Sequence, residues 1–449
     1  MRILLILTLC LIPMALMMAQ GNDASDKIFP YPINQVTLDN GLQVISIPFE
    51  SPGIIAVWTV VRTGSRNEVE PGKSGFAHFF EHMMFRGTEK YSSDAYNEIL
   101  KSIGADNNAF TTDDYTAYHT LASSDALESI LDIESDRFMN LKYSEPDFKT
   151  EAGAILGEYN KNYSNPDMTV YEKLRENAFE NHTYKHTTMG FLKDIQDMPN
   201  QYAYSLKFFD RWYRPENCAL IIVGDFNQEK LMDLVKKYYT SWKRGTYTLD
   251  VPLDPPQKEE KTINLPWKAK TLPTVSMGYH GPAFNDQSID MPAIDVLSQV
   301  LFSETSELFQ KLVVDEQLVE YVAGGQQDHR DPELFVVETR VKDKANIEKV
   351  RSEIDASIEK AKTVPVSAER LASIKSHMKY EFAMRLNNPN AVAGTITSYV
   401  QLTGNPESVN RIYKLYEQVT PQDLMKVAQQ YLSKTNRTTV ILTQEGGQP

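Results

Sequence analysis

The stretch Gly75-Phe76-Ala77-His78-Phe79-Phe80-Glu81-His82-Met83-Met84-Phe85 carries two histidines four residues apart, with a glutamate at the third step, in an otherwise apolar run. On an α-helix, residues i, i+3 and i+4 share one face, so His78, Glu81 and His82 project together. Two neutral imidazoles one turn apart suit a tetrahedral zinc ion, and an adjacent carboxylate can accept a proton from water on the metal. The stretch therefore predicts a metal-binding helix that carries its own base.

A catalytic zinc needs a third protein ligand, and a later predicted helix offers two candidates. Glu151 and Glu158 lie seven residues apart, which is two helical turns, so their side chains share a face. Without such support, the alternative is a helix with surface histidines and a solvated glutamate.

Four segments together carry a family resemblance. They are His78–His82 with Glu158 placed 76 residues later, Gly104–Thr111, Tyr213–Asn217 and Ile221–Asp225. The order His-x-x-Glu-His is the inverzincin signature. The chain resembles the pitrilysin, insulysin and mitochondrial-processing-peptidase family of zinc metallopeptidases over nearly all of its length after residue 27, and in particular the zinc-bearing subunit of the two-subunit bacterial members.

The resemblance implies one Zn²⁺ per chain, held by His78, His82 and Glu158. Glu81 would activate the zinc-bound water and pass its proton to the leaving amine, which is general acid–base chemistry. Glu151 would orient a ligand or the helix that carries it.

The resemblance also implies that a substrate peptide pairs with an edge strand at Asn108 and Ala109. Backbone pairing with an exposed strand is a common way to bind an extended peptide. The implied function is an exported zinc metalloendopeptidase subunit that cleaves unfolded peptides or small proteins in an enclosed chamber formed by two chains.

The predicted fold class is α+β, with two homologous α/β sandwich halves of the LuxS and processing-peptidase type, each an antiparallel-rich sheet packed with helices. The order of predicted elements recurs after about 210 residues, which indicates an internal duplication. We predict an N-terminal zinc-binding domain at 28–247, a proline-containing linker at 248–261 and a homologous C-terminal domain at 262–449. The second copy has Ala293–Gln299 where the first has its metal helix, so only the first half is predicted to bind zinc.

Local patterns predict the elements around the metal helix. The turn Asp39-Asn40-Gly41 lies between alternating runs and predicts a β-hairpin. Ser74 is the predicted N-cap of the metal helix. The remaining predicted strands are 54–61, 110–122, 217–223, 274–279, 334–341 and 438–442, and the remaining predicted helices are 93–103, 124–141, 145–160, 199–212, 228–243, 291–302, 345–363, 368–386 and 421–432.

The first nineteen residues predict a secretory signal peptide, because a basic Arg2 precedes a short apolar run that ends at Ala19. Its removal changes the formal charge from −14 to about −15, since Arg2 is its only charged side chain. Such an acidic chain is a poor partner for nucleic acid or an anionic membrane. We expect export to a bacterial periplasm and no integral membrane span in the mature chain.

Other chemically reactive side chains have simpler interpretations. His119 is a candidate fourth ligand, although a polar residue on a sheet face is the favoured interpretation. His182 and His186 lie in a polar stretch and are predicted to be surface residues. Cys218 precedes a buried-strand pattern and is predicted to be an inert core thiol.

One departure from the family pattern bears on activity. Complete members carry an arginine and a tyrosine seven residues apart in the second half, which contact the substrate near the scissile carbonyl. Those positions fall here on Val313 and Glu320, so the pair is absent. Loss of such carbonyl-stabilising groups can reduce the rate by about 10²–10³. We therefore expect a heterodimer in which a homologous partner supplies the Arg/Tyr pair.

Two alternatives stay open from the sequence. One is a non-proteolytic assembly subunit that has kept the fold, like the core proteins of a respiratory complex. The other is an exported solute- or peptide-binding protein in which the histidines are incidental.

Overall fold

The computed structural model describes residues 27–445. The predicted signal peptide, residues 1–19, lies outside this range. The described strands are β1 Asn34–Thr37, β2 Gln43–Pro48, β3 Ile54–Val61, β4 Asp106–Thr111, β5 Thr116–Ser123, β6 Cys218–Gly224, β7 Lys261–Trp267, β8 Thr274–His280, β9 Val319–Gly325, β10 Leu334–Val341 and β11 Arg437–Gln444.

Helices fill most of the connections between these strands. They are α1 Phe76–Met83, α2 Ser93–Ser102, α3 Leu127–Asn140, α4 Glu145–Asn162, α5 Pro166–Ala178, α6 Leu192–Asp197, α7 Tyr202–Trp212, α8 Gln228–Tyr239, α9 Asp290–Phe302, α10 Glu307–Phe309, α11 Ile347–Thr363, α12 Ala368–Arg385, α13 Pro389–Thr403, α14 Ser408–Gln418 and α15 Pro421–Tyr431. Between residues 27 and 445, no helix is both long enough and apolar enough to cross a membrane.

The first half is built on a six-stranded sheet with the order β1-β2-β6-β3-β5-β4. The Asn40-Gly41 turn joins β1 to β2 in the predicted antiparallel hairpin. β2 and β6 run parallel, and the other neighbouring strands run antiparallel. The last strand, β4, is therefore an edge.

The second half repeats this arrangement in a five-stranded sheet with the order β7-β11-β8-β10-β9. Here β7 and β11 are the parallel pair, and the three remaining pairs are antiparallel. β7, β11, β8, β10 and β9 thus take the places of β2, β6, β3, β5 and β4. The predicted α+β fold with two sheet-and-helix halves is confirmed.

Each half has its own core, and one helix of each half packs against the sheet of the other. In the first half, α1, α3, α4, α7 and α8 cover one face of the sheet, while α9, α11 and α15 contribute to the core of the second half. The opposite face of the first sheet packs against α13 through residues such as Trp58 and Val392. α5 in turn packs against β8 and β11 of the second sheet. This exchange buries apolar surface of both halves at their junction.

A buried ionic cluster crosses the same junction. Arg175 lies 3.1 Å from Asp113 and 3.0 Å from Glu333, and His329 Nε2 lies 3.2 Å from Asp113 Oδ2. Burial lowers the pKa of His329, but its hydrogen bond to Asp113 and the nearby carboxylates outweigh this and raise the pKa to about 10. Such groups are tolerated away from water because each charge faces an opposite one.

The prediction that His182 and His186 are surface residues is wrong. They are 2% and 3% exposed. His182 Nδ1 accepts a hydrogen bond from the Tyr184 N–H, and His182 Nε2 lies 2.8 Å from Asp331 of the second half. The stretch is polar because side chains such as His182 pair with charged groups of a distant segment, not because they face solvent.

Several predicted boundaries shift for local reasons. The strand predicted at 110–122 is interrupted, because Thr112 N–H donates to the Tyr115 carbonyl in a turn between β4 and β5. The helix predicted at 228–243 ends at Tyr239, whose carbonyl accepts a hydrogen bond from the Asn40 side chain. The helix predicted from residue 199 begins at Tyr202, after a short 3₁₀ turn. The predicted linker contains no helix or strand before Lys261, where β7 begins.

Candidate metal centre

Helix α1 begins in a way that the sequence did not indicate. Gly75 occupies the N-cap position with φ of +92°, a left-handed conformation that favours glycine. The prediction that Ser74 caps the helix is wrong, because its hydroxyl donates to Asp194 Oδ2 at 2.6 Å and accepts the Phe191 N–H. The first turn is instead capped by Glu68, whose carboxylate accepts the N–H groups of Gly75 and Ala77, each at 2.7 Å.

The apolar side of α1 fixes the direction of its polar side. Phe76, Phe79, Phe80 and Met83 are buried in the core of the first half. The Phe79 ring lies 4.9 Å, centroid to centroid, from Phe148 of α4. With these side chains in the core, the face of α1 that carries His78 and His82 lies opposite the face of α4 that carries Glu158.

That packing brings together three of the predicted ligands. Nε2 of His78 lies 3.7 Å and Nε2 of His82 lies 3.5 Å from the same oxygen of Glu158, Oε2. All three potential ligand atoms fall within 4.8 Å of one another. Among the residues that the structure describes, this is the one group of three or more such side chains with that geometry.

The three side chains fit a zinc ion. A tetrahedral zinc with bonds of about 2.0–2.2 Å sets its ligand atoms roughly 3.3–3.6 Å apart, close to the observed separations. Two imidazoles and a carboxylate form a typical donor set for catalytic zinc. Burial lowers the pKa of His78 to about 3, which keeps its imidazole neutral as ligation requires.

Glu151 lies behind the ligands, as predicted. Its Oε1 is 2.9 Å from His82 Nδ1, and its Oε2 accepts a hydrogen bond from Arg86 Nε at 2.6 Å. Burial raises the pKa of Glu151, but the hydrogen bonds from His82 and Arg86 outweigh it and leave the pKa below its usual value. The carboxylate therefore holds the Nδ1–H of His82 and leaves Nε2 free to face Glu158. Arg86 lies three residues beyond the end of α1, and its contact with Glu151 was not expected from the sequence.

Glu81 lies beside the ligand group and is held from the neighbouring sheet. The hydroxyl of Thr111, on β4, donates a 2.6 Å hydrogen bond to Glu81 Oε2. Burial raises the pKa of Glu81 above its usual value, and the Thr111 hydrogen bond opposes that rise. A carboxylate with a raised pKa is suited to exchanging protons near neutral pH.

The predicted substrate segment borders the same site. Asn108 and Ala109 lie on the edge strand β4 and, with Glu81, His82 and Glu151, line an open cavity of about 340 Å³. β4 pairs with β5 on one side only, so its other side can receive an extended peptide. The structure thus brings together every site residue predicted from the sequence.

The other candidate side chains lie elsewhere. His119 stacks on Trp58 with ring centroids 4.7 Å apart, on the sheet face that packs against α13 rather than α1. It therefore behaves as the predicted polar residue on a sheet face. Cys218 is buried, and burial raises the pKa of its thiol, which agrees with the predicted inert core residue.

Comparisons with known proteins place this geometry in a family. Residues 45–191 match the profile of "Insulinase (Peptidase family M16)", and residues 202–378 match that of "Peptidase M16 inactive domain". Zinc protease PqqE of Helicobacter pylori is 30% identical over 91% of this chain and 92% of its own length. The chain belongs to peptidase family M16.

Two further relatives show how far this likeness extends. The crystal structure of a protease from Helicobacter pylori, 30% identical, superposes with a TM-score of 0.85 and covers 92% of this chain and 99% of its own. The β subunit of the mitochondrial-processing peptidase of Bos taurus is 28% identical over 52% of this chain and 47% of its own length. The pitrilysin, insulysin and processing-peptidase resemblance predicted from the motifs is confirmed.

Proposed function

We propose that this M16 chain is a zinc metalloendopeptidase subunit that hydrolyses peptide bonds of unfolded peptides. The observation that carries the proposal is the convergence of His78, His82 and Glu158 on one point, with Glu81 beside them. A helix with incidental surface histidines has no need of three ligand atoms within 4.8 Å of one another and a buried carboxylate behind them.

Zinc held by His78, His82 and Glu158 would polarise the scissile carbonyl and make water a better nucleophile at neutral pH. Glu81 takes the proton of the attacking water and returns it to the leaving amine. Its raised pKa suits both transfers, since the carboxylate must accept and then release a proton. The Thr111 hydroxyl holds Oε2 of Glu81 and so fixes the direction of the carboxylate beside the ligand group.

The edge strand supports peptide recognition through the backbone. A substrate that lies antiparallel along β4 at Asn108 and Ala109 passes the same cavity that Glu81 and His82 line. Main-chain hydrogen bonds to an edge strand do not depend on side-chain identity. They select extended chains, which agrees with a preference for unfolded substrates.

A homologous partner subunit is part of the proposal. Val313 and Glu320 occupy the positions at which the family places its Arg/Tyr pair, so this chain lacks two groups that contact the substrate carbonyl. We propose that the pair comes from a second chain, which encloses the chamber with this one. The similar bovine protein is itself named as a β subunit.

Export to a bacterial periplasm is proposed from the apolar segment at residues 1–19. We also propose the domain boundaries 28–247 and 262–449, with 248–261 as the connection. Asp254, within that connection, accepts hydrogen bonds from three consecutive N–H groups at residues 180–182, so the connection is tied to the first half.

The absent Arg/Tyr pair also favours one competing function, a non-proteolytic assembly subunit. Cleavage of a quenched, unstructured peptide by the zinc-loaded mature chain separates the two, with Glu81→Gln as the control. Cleavage that the control abolishes supports the peptidase and refutes the need for a partner. If the zinc-loaded chain cleaves no peptide by itself, but does so once a homologous subunit with the Arg/Tyr pair is added, the heterodimer is supported.

If no peptide is cleaved with any such partner, the assembly function is supported instead. Failure of the folded chain to bind zinc at all would point to an exported binding protein.

A further inference from the structure

Two buried carboxylates hold the start of the metal helix. Glu68 Oε2 accepts the Gly75 N–H and Glu68 Oε1 accepts the Ala77 N–H, both at 2.7 Å, and the Glu68 side chain has no exposed surface. Asp194 Oδ2 accepts the hydroxyl of Ser74 at 2.6 Å, one residue before the N-cap. Glu68 does not line the cavity that contains Glu81 and His82.

The backbone around Gly75 is closely packed and leaves no room for a side chain there. A Cβ atom on Gly75 would lie 2.4 Å from Ile195 Cδ1, and one on Gly190 would lie 2.7 Å from the Gly75 nitrogen. The first N–H groups of a helix have no partner within the helix. Glu68 therefore satisfies two donors that nothing else in the first turn satisfies, in a setting packed on both sides.

The two histidines of α1 differ in how they are held. Nδ1 of His82 is held by Glu151 at 2.9 Å. Nδ1 of His78 is buried and has no hydrogen-bond partner. The direction of the His78 ring is consequently set by packing and by the backbone that carries it, which follows Ala77 directly.

The second half provides an internal comparison. Its equivalent helix, α9, has Ile289 at the N-cap position and no side-chain cap bond. Its first N–H donor, at Asp290, bonds to the hydroxyl of Ser288 at 3.3 Å. Ile289 lies six residues before Asp295, which has the place of His78, whereas Gly75 lies only three residues before His78. α9 therefore begins about one turn earlier than α1, and the later helix start that is capped by a buried carboxylate belongs to the helix that carries the histidines.

We infer that Glu68 is a positioning residue for the metal centre: it fixes the first turn of α1 and thereby holds His78 in place to bind the metal together with Glu158. The inference rests on the proposed function, because it gives Glu68 a role in metal binding. The hydrogen bonds of Glu68 go to the backbone of Gly75 and Ala77, and Glu68 does not line the substrate cavity, so it acts on His78 through that backbone.

The test is Glu68→Gln in the full mature chain. Its carbonyl oxygen can accept one N–H, whereas its amide nitrogen faces the other donor and cannot accept. Zinc affinity is measured on this chain by competition with a chromophoric chelator, and kcat and KM are measured by cleavage of a quenched peptide with the active form of the enzyme. We expect a roughly 10–100-fold loss of zinc affinity, as for other residues that orient metal ligands, with KM unchanged at saturating zinc.

The matched control is Glu134→Gln. Glu134 is a buried carboxylate of the same half, and its hydrogen bonds go to Arg137 and Tyr96, neither of which belongs to α1. The Glu134→Gln variant should have a lower thermal midpoint of unfolding and a zinc affinity within about twofold of that of the wild type. If Glu68→Gln weakens zinc binding no more than Glu134→Gln does, Glu68 is a structural residue only and the inference is wrong.

If Glu68→Gln does not fold, Glu68→Asp takes its place. It keeps the carboxyl group, but its side chain is one methylene too short to reach both N–H groups from the same backbone position, and the same outcomes apply. The wild-type chain separates the two proposals. A chain that binds zinc but never cleaves a peptide refutes the proposed function and leaves the Glu68 comparison valid. A folded chain that binds no zinc refutes both.

Discussion

The two halves of the chain have the same strand pairing but differ in what their central helices present. α1 packs against β4 and α4, and α9 packs against the equivalent elements β9 and α12. On α1 the residues at i, i+3 and i+4 are His78, Glu81 and His82. On α9 the residues with the same spacing, Asp295, Ser298 and Gln299, line a polar cavity of about 620 Å³.

The comparison extends to the facing helices. Glu158 and Glu381 each lie fourteen residues after the N-cap serine of α4 and α12, which are Ser144 and Ser367. Glu381 lines the cavity of the second half, as Glu158 faces the ligands of the first. The second half therefore keeps a carboxylate at the place of the third ligand and lacks both imidazoles.

The support behind the ligands differs as well. Seven residues before Glu381 lies Ile374, which is buried in the apolar core, whereas seven residues before Glu158 lies Glu151. In the second cavity, burial raises the pKa of Asp295 well above its usual range and that of Asp328 to about 6. One scaffold thus carries either a candidate metal centre or a polar cavity, depending on a few side chains and their hydrogen-bond partners.

The largest effect is expected from Glu81→Gln. Removing the base should lower kcat by about 10³-fold, within the range that general acid–base catalysis supplies, and leave the zinc content at one per chain. Peptide cleavage by the active form of the enzyme is the measurement. Ser298→Ala, at the corresponding step of α9, is the matched control and should change kcat by less than about twofold. Equal losses in both variants would contradict the assignment of chemistry to the first half alone.

A smaller effect is expected from Glu151→Gln. The amide loses charge and one acceptor for His82 and Arg86, so zinc affinity should fall by roughly 10–100-fold. Chelator competition measures the change. Ile374→Val, the conservative change at the equivalent place in α12, should not alter zinc affinity. An unchanged affinity in Glu151→Gln would show that His82 needs no such support.

The comparison is sharpened by grafting ligands into the second half. Asp295→His together with Gln299→His, facing Glu381, should create a second zinc site. We expect it to bind roughly 10–100-fold more weakly than the native site, because Ile374 cannot orient an imidazole. Zinc titration of the double-histidine variant gives the affinities of the native and the grafted site. A control with Asp295→Asn and Gln299→Asn should bind zinc at the native site alone. A second site as tight as the first would mean that ligand identity alone separates the halves.

Local sequence patterns were sufficient for much of this picture. The Asn40-Gly41 hairpin, α1, α4 and strand β10 follow from turn residues and from helical or alternating spacing, and the structure confirms them. The roles of His78, Glu81, His82 and Glu158 required the family resemblance in addition, since spacing within one helix does not identify a ligand 76 residues away.

What the sequence did not reveal depends on distant contacts. Glu68 displaces Ser74 as the cap of α1 because the fold brings its carboxylate to Gly75 and Ala77. His182 lies in a polar stretch, yet it is buried because Asp331 arrives from the other half. Helices α5 and α13 cover the sheet of the opposite half, and neither was expected from the sequence. None of these contacts has a periodic signature along the chain.

The most direct test of the account is the zinc content per chain after exhaustive dialysis, for the wild type, Glu158→Gln and Glu381→Gln. The two substitutions make the same change at equivalent positions of the two halves. We expect one zinc per chain in the wild type, far less than one in Glu158→Gln and one in Glu381→Gln. A full zinc in Glu158→Gln, or its loss in Glu381→Gln, would contradict the assignment of the metal centre to the first half.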